Sequence, residues 1–543
     1  MMSFQTPQRE SPPFYLVVEP YLRHGDRPQD REYLTDVLDT WSADLDPDNA
    51  IGWALHEAIT KGDDVAVQKM LDAGVNPMMR QSCDPGFTPL LAAAQLGRLQ
   101  RVRALWRLVG PEGRFYPSNR CWKPRAARTT PHQLSCLQVA ARNGQAEVVT
   151  YFLDIWDGWT KEEKRWALTD AAWAWCDEAV AVLLSKVSYE AGDLQEALEK
   201  AVDKRVMLAE FDVRRGITAN DWDSQQRLIC RLIDAGGDHN REDRGNHWPL
   251  VHIASTNRDC VGALKGLLER GADPNRPGPG GKNALHRTCS SFRPDTTTLE
   301  ILLQHGALPE LADDVGETAF HAIAEAGTLA QLQLCLSHCG VPDGESIHLR
   351  NAHSESLLHY AAAGGREDDM LEFLLASGLD VNATNDNGWT PLMCTLMPTK
   401  TKPVRDMCRA AETLLRHGAR ADIVTDEDWS PLHALGSWHL RWQRPGSGAN
   451  IGRLARKLIA SGAPVDVQSG VIRSPASSAG TLCDLWGFRM RGFLETTAGT
   501  LRQDPDQAED YTTPLVWAIR GNSTDLERVI TEHLVSLQLG SDA

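Results

Sequence analysis

DVNATNDNGWTPL, residues 380–392, is the stretch of this 543-residue chain that decides its fold. The cluster of Asn, Asp and Gly in its middle is typical of a turn. Thr390 then offers a side-chain oxygen that accepts a backbone N–H at a helix N-terminus, and Pro391 follows where its missing N–H costs nothing. The stretch therefore predicts a turn that leads directly into a helix.

This helix-start block recurs along the chain. Its ten copies lie at 53–58, 88–93, 135–140, 249–254, 283–288, 318–323, 356–361, 390–395, 430–435 and 513–518. Most steps between copies are close to one unit of about 33 residues. A step of 114 residues follows the copy at 135 and one of 83 follows the copy at 430. We therefore expect two diverged units near 165–175 and 194–202, and one near 482–486.

A second block follows the first at a distance of about twenty residues. It pairs apolar residues with a Gly and then an Asp, Asn or Pro cluster. Its seven copies lie at 70–77, 231–240, 267–275, 302–310, 374–382, 414–422 and 458–466. Gly after a paired apolar run is typical of a left-handed helix C-cap, so this block ends a second helix.

A unit of two helices and a turn cannot bury its apolar face alone, so neighbouring units must stack. The TPLHxA-like and LLxxGADxN-like blocks, recurring in phase over 51–466 and 511–543, resemble the ankyrin repeat. The resemblance implies an all-α fold, an ankyrin-repeat α-solenoid of helix-turn-helix units with β-hairpin-like fingers between them. It also implies a concave binding face lined by the fingers and the first helices.

The irregular parts of the chain divide it into six regions. We predict an N-terminal cap at 1–50, repeats at 51–153 with an insertion at 111–133, diverged helical repeats at 154–235, regular repeats at 236–466, a linker and diverged unit at 467–510, and a C-terminal capping repeat at 511–543. The stretch 154–235 contains five tryptophans between 156 and 175, which we expect mainly in the core, with exposed partner anchors as the alternative. They are Trp156, Trp159, Trp166, Trp173 and Trp175.

Composition indicates a soluble chain, with 42% hydrophobic residues, 24% charged residues and no apolar run long enough to span a bilayer. The formal net charge of −17 opposes binding to nucleic acid or anionic membranes and favours a partner with a basic patch. Twelve dispersed cysteines and an N-terminus without a secretory pattern favour the cytoplasm or nucleus. We expect a monomer.

If the fingers lie where the resemblance implies, several of their tips carry acidic residues, which we expect to face a partner. The tip candidates are Asp313, Asp314, Asp386, Asp426 and Asp428. The alternative is that these charges only keep the loops solvated. The insertion adds a second candidate surface of basic and aromatic residues, formed by Arg120, Trp122, Lys123 and Arg125. Such a surface suits an acidic peptide or a single nucleic-acid strand, unless it folds back onto the acidic array.

The sequence offers no candidate residues for catalysis, metal binding or cofactor binding. The resemblance implies that the histidines at the fourth position of the first block are structural and hydrogen-bond the backbone beside the Thr or Ser. They are His56, His286, His321, His359 and His433. Cys335, His338 and Cys339 have zinc-ligand chemistry but lie where a second helix packs. The predicted function is therefore a scaffold or adaptor for a protein partner. Two alternatives are a regulator of one enzyme or transcription factor, and an enzyme with its site outside the clear repeats.

Overall fold

The computed structural model describes most of the chain between 55 and 541. The described residues are 55, 58–72, 77–78, 88–114, 134–202, 219–241, 248–289, 296–339, 345–364, 368–396, 404–426, 428–436, 447–468, 513–520 and 523–541. They divide between two compact units. Unit 1 comprises 1–244 with 259–272, and unit 2 comprises 245–258 with 273–543.

Unit 1 is a stack of paired helices. Its helices are α1 (Asp64–Asp72), α2 (Pro89–Gln95), α3 (Leu99–Val109), α4 (Cys136–Arg142), α5 (Ala146–Ile155), α6 (Lys161–Trp173), α7 (Asp177–Lys186), α8 (Ala191–Val202), α9 (Ala219–Asp234) and α11 (Val261–Glu269). The first helices of successive pairs contact one another in the order α2, α4, α6, α8. The second helices do the same in the order α3, α5, α7, α9, α11.

Unit 2 repeats this arrangement. Its helices are α10 (Leu250–Ser255), α12 (Ala284–Cys289), α13 (Thr296–Gln304), α14 (Ala319–Ala326), α15 (Leu329–Ser337), α16 (Leu357–Gly364), α17 (Asp368–Ala376), α18 (Pro391–Leu396), α19 (Val404–Arg416), α20 (Pro431–Gly436), α21 (Ser447–Ala460), α22 (Pro514–Arg520) and α23 (Thr524–Ser541). The even-numbered helices from α10 to α22 are the first helices of their pairs and contact one another in sequence, and we call them the inner row. The odd-numbered helices from α13 to α23 are the second helices and form the outer row. The regular elements of the described residues are all helices, and they recur in pairs. This confirms the predicted all-α repeat fold.

The two sequence blocks set the helix boundaries as predicted. Thr88 and Ser135 are N-caps whose hydroxyls accept from the N–H of Leu91 and Gln138, at 3.3 and 3.2 Å. At the other end, Gly418 has φ of +89°, and the next N–H, that of Ala419, donates to Leu414 at 3.0 Å. A side chain is strained at that φ, so glycine ends the helix at low cost.

Helix pairs occupy both positions in unit 1 where diverged units were expected. α6 and α7 form the first pair, and α8 and α9 form the second. In unit 2, α22 contacts α20 and α23 contacts α21, so the last repeat packs directly on the repeat that ends near 466. The cap predicted at 1–50 and the unit predicted near 482–486 lie outside the described residues and stay predictions.

Candidate functional site

Five similar turns of unit 2 connect its helix pairs, and we call them fingers 1 to 5. They span 278–282, 313–317, 351–355, 385–389 and 425–429. In each finger the N–H of the first residue donates to the carbonyl of the fifth, at 2.7 to 3.0 Å. The five turns are therefore closed by the same backbone bond, although their sequences differ.

The side chain of the first residue stabilises three of these turns from inside. Oδ1 of Asp313 accepts from the N–H of Val315 and of Glu317, at 3.0 and 2.9 Å. Oδ1 of Asn351 and of Asn385 plays the same part in fingers 3 and 4. Asp313 is 7% exposed, so its prediction as a partner-facing tip residue is wrong. Its carboxylate is used to close the turn.

Neighbouring fingers are joined tip to tip by backbone hydrogen bonds, which we call the ladder. One bond runs from the N–H of Asp314 to the carbonyl of Gly280, at 3.1 Å. The others join Ala352 to Val315, Asp386 to His353, and Asp426 to Asn387, at 2.9, 3.1 and 3.3 Å. Each N–H in the ladder belongs to the second residue of its finger, so that residue has a fixed backbone position in four consecutive fingers.

The second residues of the fingers supply most of the exposed negative charge at the finger tips. Asp314, Asp386 and Asp426 occupy that place in fingers 2, 4 and 5, and Asp428 lies two residues further in finger 5. All four are exposed, and within the described residues none of them has an ion-pair partner. We call these four residues the acidic row. The other predicted surface, with Arg120, Trp122, Lys123 and Arg125, lies outside the described residues.

Two fourth-position histidines, His286 and His359, bond to the backbone at the start of their inner helix, as the resemblance implies, and each also bonds to the next finger. Nδ1 of His359 accepts from the N–H of Ser356 at 3.1 Å, so its proton lies on Nε2, which donates to the carbonyl of Trp389 at 3.1 Å. His286 makes the equivalent pair of bonds to Asn283 and Glu317. Burial lowers the pKa of His252, His321 and His359 to about 4. These imidazoles are therefore neutral structural groups at neutral pH.

A buried polar network lies behind fingers 2, 3 and 4, and no sequence signal pointed to it. The hydroxyl of Tyr360 on α16 donates to Oε1 of Glu317 at 2.6 Å. Glu355, 1% exposed, accepts from the amides of Asn351 and Asn385 at 2.8 and 3.1 Å. Burial raises the pKa of Glu317. The network fixes the bases of the fingers whose tips carry Asp314 and Asp386.

The first inner helix of unit 2 lacks the usual cap. Pro249 stands at its N-cap, where Pro has neither a hydroxyl nor an N–H, and Nδ1 of the fully buried His252 has no hydrogen-bond partner among the described residues. Replacing Pro249 with Thr is expected to stabilise unit 2 by about 1 kcal/mol, because a cap and a buried partner are gained against a more flexible unfolded chain.

Urea unfolding of the two proteins measures this gain. Pro249→Ala is the matched control, because it restores the N–H but not the hydroxyl, and should give less stabilisation than Thr. A Thr variant no more stable than the parent would contradict the assignment of Pro249 as a missing cap.

The tryptophans of unit 1 only partly follow the prediction of a core role. Trp159 is 4% exposed, and its Nε1 donates to the carbonyl of Phe152 at 2.9 Å. Trp156, Trp166, Trp173 and Trp175 are half-buried. Trp175 is unusual because it takes φ of +58° in a helix-to-helix turn, where Gly144 stands in the preceding pair. Its Nε1 bond to the carbonyl of Ala201, at 2.9 Å, helps to hold this strained backbone.

The cysteines and helices in the described part of the chain indicate neither a metal site nor a membrane span. Burial raises the pKa of Cys335 to about 12 and that of Cys339 to about 11, which disfavours the thiolates that bind zinc. Among the residues that the structure describes, no cluster of three or more His, Cys, Asp or Glu is arranged to hold a metal ion. A search of the same residues finds no helix with the length and apolarity to cross a membrane.

Comparison with known proteins identifies the repeat. Residues 290–385 and 358–437 match the family model described as Ankyrin repeats (3 copies). No curated protein matches the sequence significantly. Of 410 solved chains that match, one is the ankyrin repeat domain of Bcl-3, a member of the IkappaB protein family. It is 20% identical, the match covers 52% of this chain and 97% of that chain, and the TM-score is 0.31.

Proposed function

We propose, from the premise that this chain is an ankyrin-repeat protein, that the acidic row of unit 2 binds a basic segment of a partner protein. Ankyrin repeats are protein-interaction modules and need no catalytic chemistry. The observation that carries the proposal is the set of four exposed carboxylates, without ion-pair partners among the described residues, on fingers joined by the ladder. Because their backbone positions are already fixed, a partner does not have to order them on binding.

The basic character of the partner follows from the charge. A row of like charges is repulsive to other acidic surfaces and attracts cationic ones, and its effect falls with added salt. Net charge of −17 on the whole chain acts in the same direction. The bond from the Ser354 hydroxyl to Asp386 leaves the other oxygen of that carboxylate available to a partner.

We further propose an adaptor role in preference to that of a regulator of one enzyme or transcription factor. The chain consists of two units, and each unit has its own row of first helices. A chain of this kind has surface for two partners at once, whereas a blocking inhibitor needs one. A location in the cytoplasm or nucleus stays a prediction.

Charge reversal tests the binding proposal. The full chain carrying Asp314→Lys, Asp386→Lys and Asp426→Lys is expected to lose at least roughly tenfold in partner capture from cell extract, because like charges would then face each other across the interface. Crosslinking mass spectrometry of the parent complex should place partner lysines beside the fingers.

The matched control reverses three exposed acids outside the fingers, Glu300→Lys, Asp369→Lys and Glu532→Lys, and should retain capture. Thermal unfolding confirms that both triple variants remain folded. Equal losses in the two variants, or crosslinks only outside the fingers, would count against the acidic row. Simultaneous capture of two partners supports the adaptor, and mutually exclusive capture supports the regulator.

A further inference from the structure

The exposed tip of finger 4 carries an Asn followed by a Gly, which are Asn387 and Gly388. Within the described residues the side-chain amide of Asn387 makes no hydrogen bond, although its backbone N–H donates to Oδ1 of Asn385 at 3.1 Å. Gly388 has no side chain to hinder the approach of its nitrogen to the Asn387 side chain. The tip therefore places an unrestrained amide beside the least hindered backbone nitrogen available.

We propose that Asn387 is a site of non-enzymatic covalent modification on the finger surface. The Gly388 nitrogen loses its proton to solvent base and forms a bond to Cγ of Asn387, and the Cγ–Nδ2 bond breaks with release of ammonia. Water then opens the resulting succinimide. Cleavage of the bond between Cγ and the Gly388 nitrogen gives Asp, and cleavage of the bond from the main-chain carbonyl carbon gives isoaspartate. No oxidant or other co-reactant is required.

The stacked fingers restrain this reaction. The N–H of Gly388 donates to the carbonyl of Asn385 at 3.0 Å, and the carbonyl of Asn387 accepts the ladder bond from Asp426 at 3.3 Å. Both bonds must open before the Gly388 nitrogen turns towards Cγ. Opening two backbone hydrogen bonds reduces the reactive population by at least roughly tenfold relative to the unfolded chain.

The chain has an internal comparison in Asn143, which is also followed by a glycine, Gly144. The Asn143 amide donates to the carbonyl of Val139 at 2.8 Å, and the N–H of Gly144 donates to that of Ala141 at 3.1 Å. Here the side chain as well as the backbone is held. In the folded protein we therefore expect Asn387 to react before Asn143, whereas unfolding should remove the difference.

The two products have opposite consequences for the finger. Asp at 387 adds a carboxylate to the acidic row and leaves the main chain unchanged. Isoaspartate routes the main chain through the side chain and lengthens it by one carbon, which disrupts both the bond from Asn385 to Trp389 and the ladder bond from Asp426. The effect on partner binding rests on the proposed function, but the modification itself does not.

Peptide mapping by mass spectrometry tests the proposal. The full chain is incubated in mildly alkaline buffer at body temperature, folded and in urea, and digested at intervals. Amide-to-acid conversion at Asn387 should be at least roughly tenfold slower in the folded chain than in urea, and in the folded chain should precede conversion at Asn143. Asn382 and Asn385, in the same tryptic peptide, should stay unmodified.

Asn387→Asp separates the added charge from the altered backbone. This variant should keep the hydrogen-exchange protection of the Asp426 N–H, and aged parent protein enriched in isoaspartate should lose it. Absence of conversion at Asn387 in urea, equal folded and unfolded rates, or earlier reaction of Asn143 in the folded chain would each overturn the proposal. None of these measurements requires a partner, so their outcome does not depend on whether the proposed binding function is correct.

Discussion

Lowering the pH from neutral to about 5 is expected to reduce the free energy of unfolding of unit 2 by about 5.5 kcal/mol through three of its histidines. His252, His321 and His359 are fully buried, and burial lowers the pKa of each to about 4. In the unfolded chain the same side chains have the ordinary value of 6.5. Between pH 6.5 and about 4 the unfolded state binds more protons than the folded state. The histidines' contribution to stability is therefore complete above pH 6.5 and is lost as the pH falls towards 4.

Urea unfolding followed by tryptophan fluorescence and circular dichroism, at a series of pH values, measures this slope. Each histidine contributes about 1.4 kcal/mol per pH unit inside the window. The half-buried Glu317 acts in the opposite direction, because a carboxyl whose pKa is raised in the fold stabilises the fold more as it protonates. His359→Asn should be less stable at neutral pH but show a shallower slope. A unit 2 whose stability is constant or rises on acidification would refute the assignment of these histidines as buried neutral groups.

The regular part of the fold was predictable because its signals are local. An N-cap such as Thr88 and a terminating glycine such as Gly418 each act within one turn of helix, so their meaning survives without knowledge of the neighbours. The role of the histidines followed from the resemblance for the same reason, since His359 bonds to a residue three positions before it. Even the diverged pairs formed by α6 to α9 were expected from spacing alone.

The error at Asp313 arose from register. Asp313 and Asp314 are adjacent and chemically identical, but the first closes the finger from inside and the second is exposed. Aligning Gly316 with Gly388, the fourth residue of its finger, would have assigned Asp313 to the buried first position. The network of Glu317, Glu355 and Tyr360 had no such signal, because Glu317 comes from the repeat before the other two and meets them only when the repeats stack.

Replacing Gly364 with Ala is expected to destabilise unit 2 by about 3 kcal/mol, the upper part of the range for overpacking. Gly364 ends the inner helix α16, and a Cβ there would lie 1.9 Å from the carbonyl oxygen of Glu325 in α14. The obstacle is backbone of the adjacent inner helix, so rotation of a side chain does not relieve it. The two helices therefore have to move apart.

Gly306→Ala is the matched control, because no atom of the described residues lies within 4 Å of its Cβ position and its φ of +84° alone opposes a side chain. Its expected cost is about 1 kcal/mol, from left-handed backbone strain. Urea unfolding at neutral pH compares the two variants with the parent. If Gly364→Ala were no more damaging than Gly306→Ala, the close approach of α14 and α16 would not be a stabilising feature of the stack. A larger loss for Gly364→Ala, with reduced hydrogen-exchange protection at the N–H groups of Ala352 and Asp386, would instead show that inner-helix packing sets the positions of the ladder and its carboxylates.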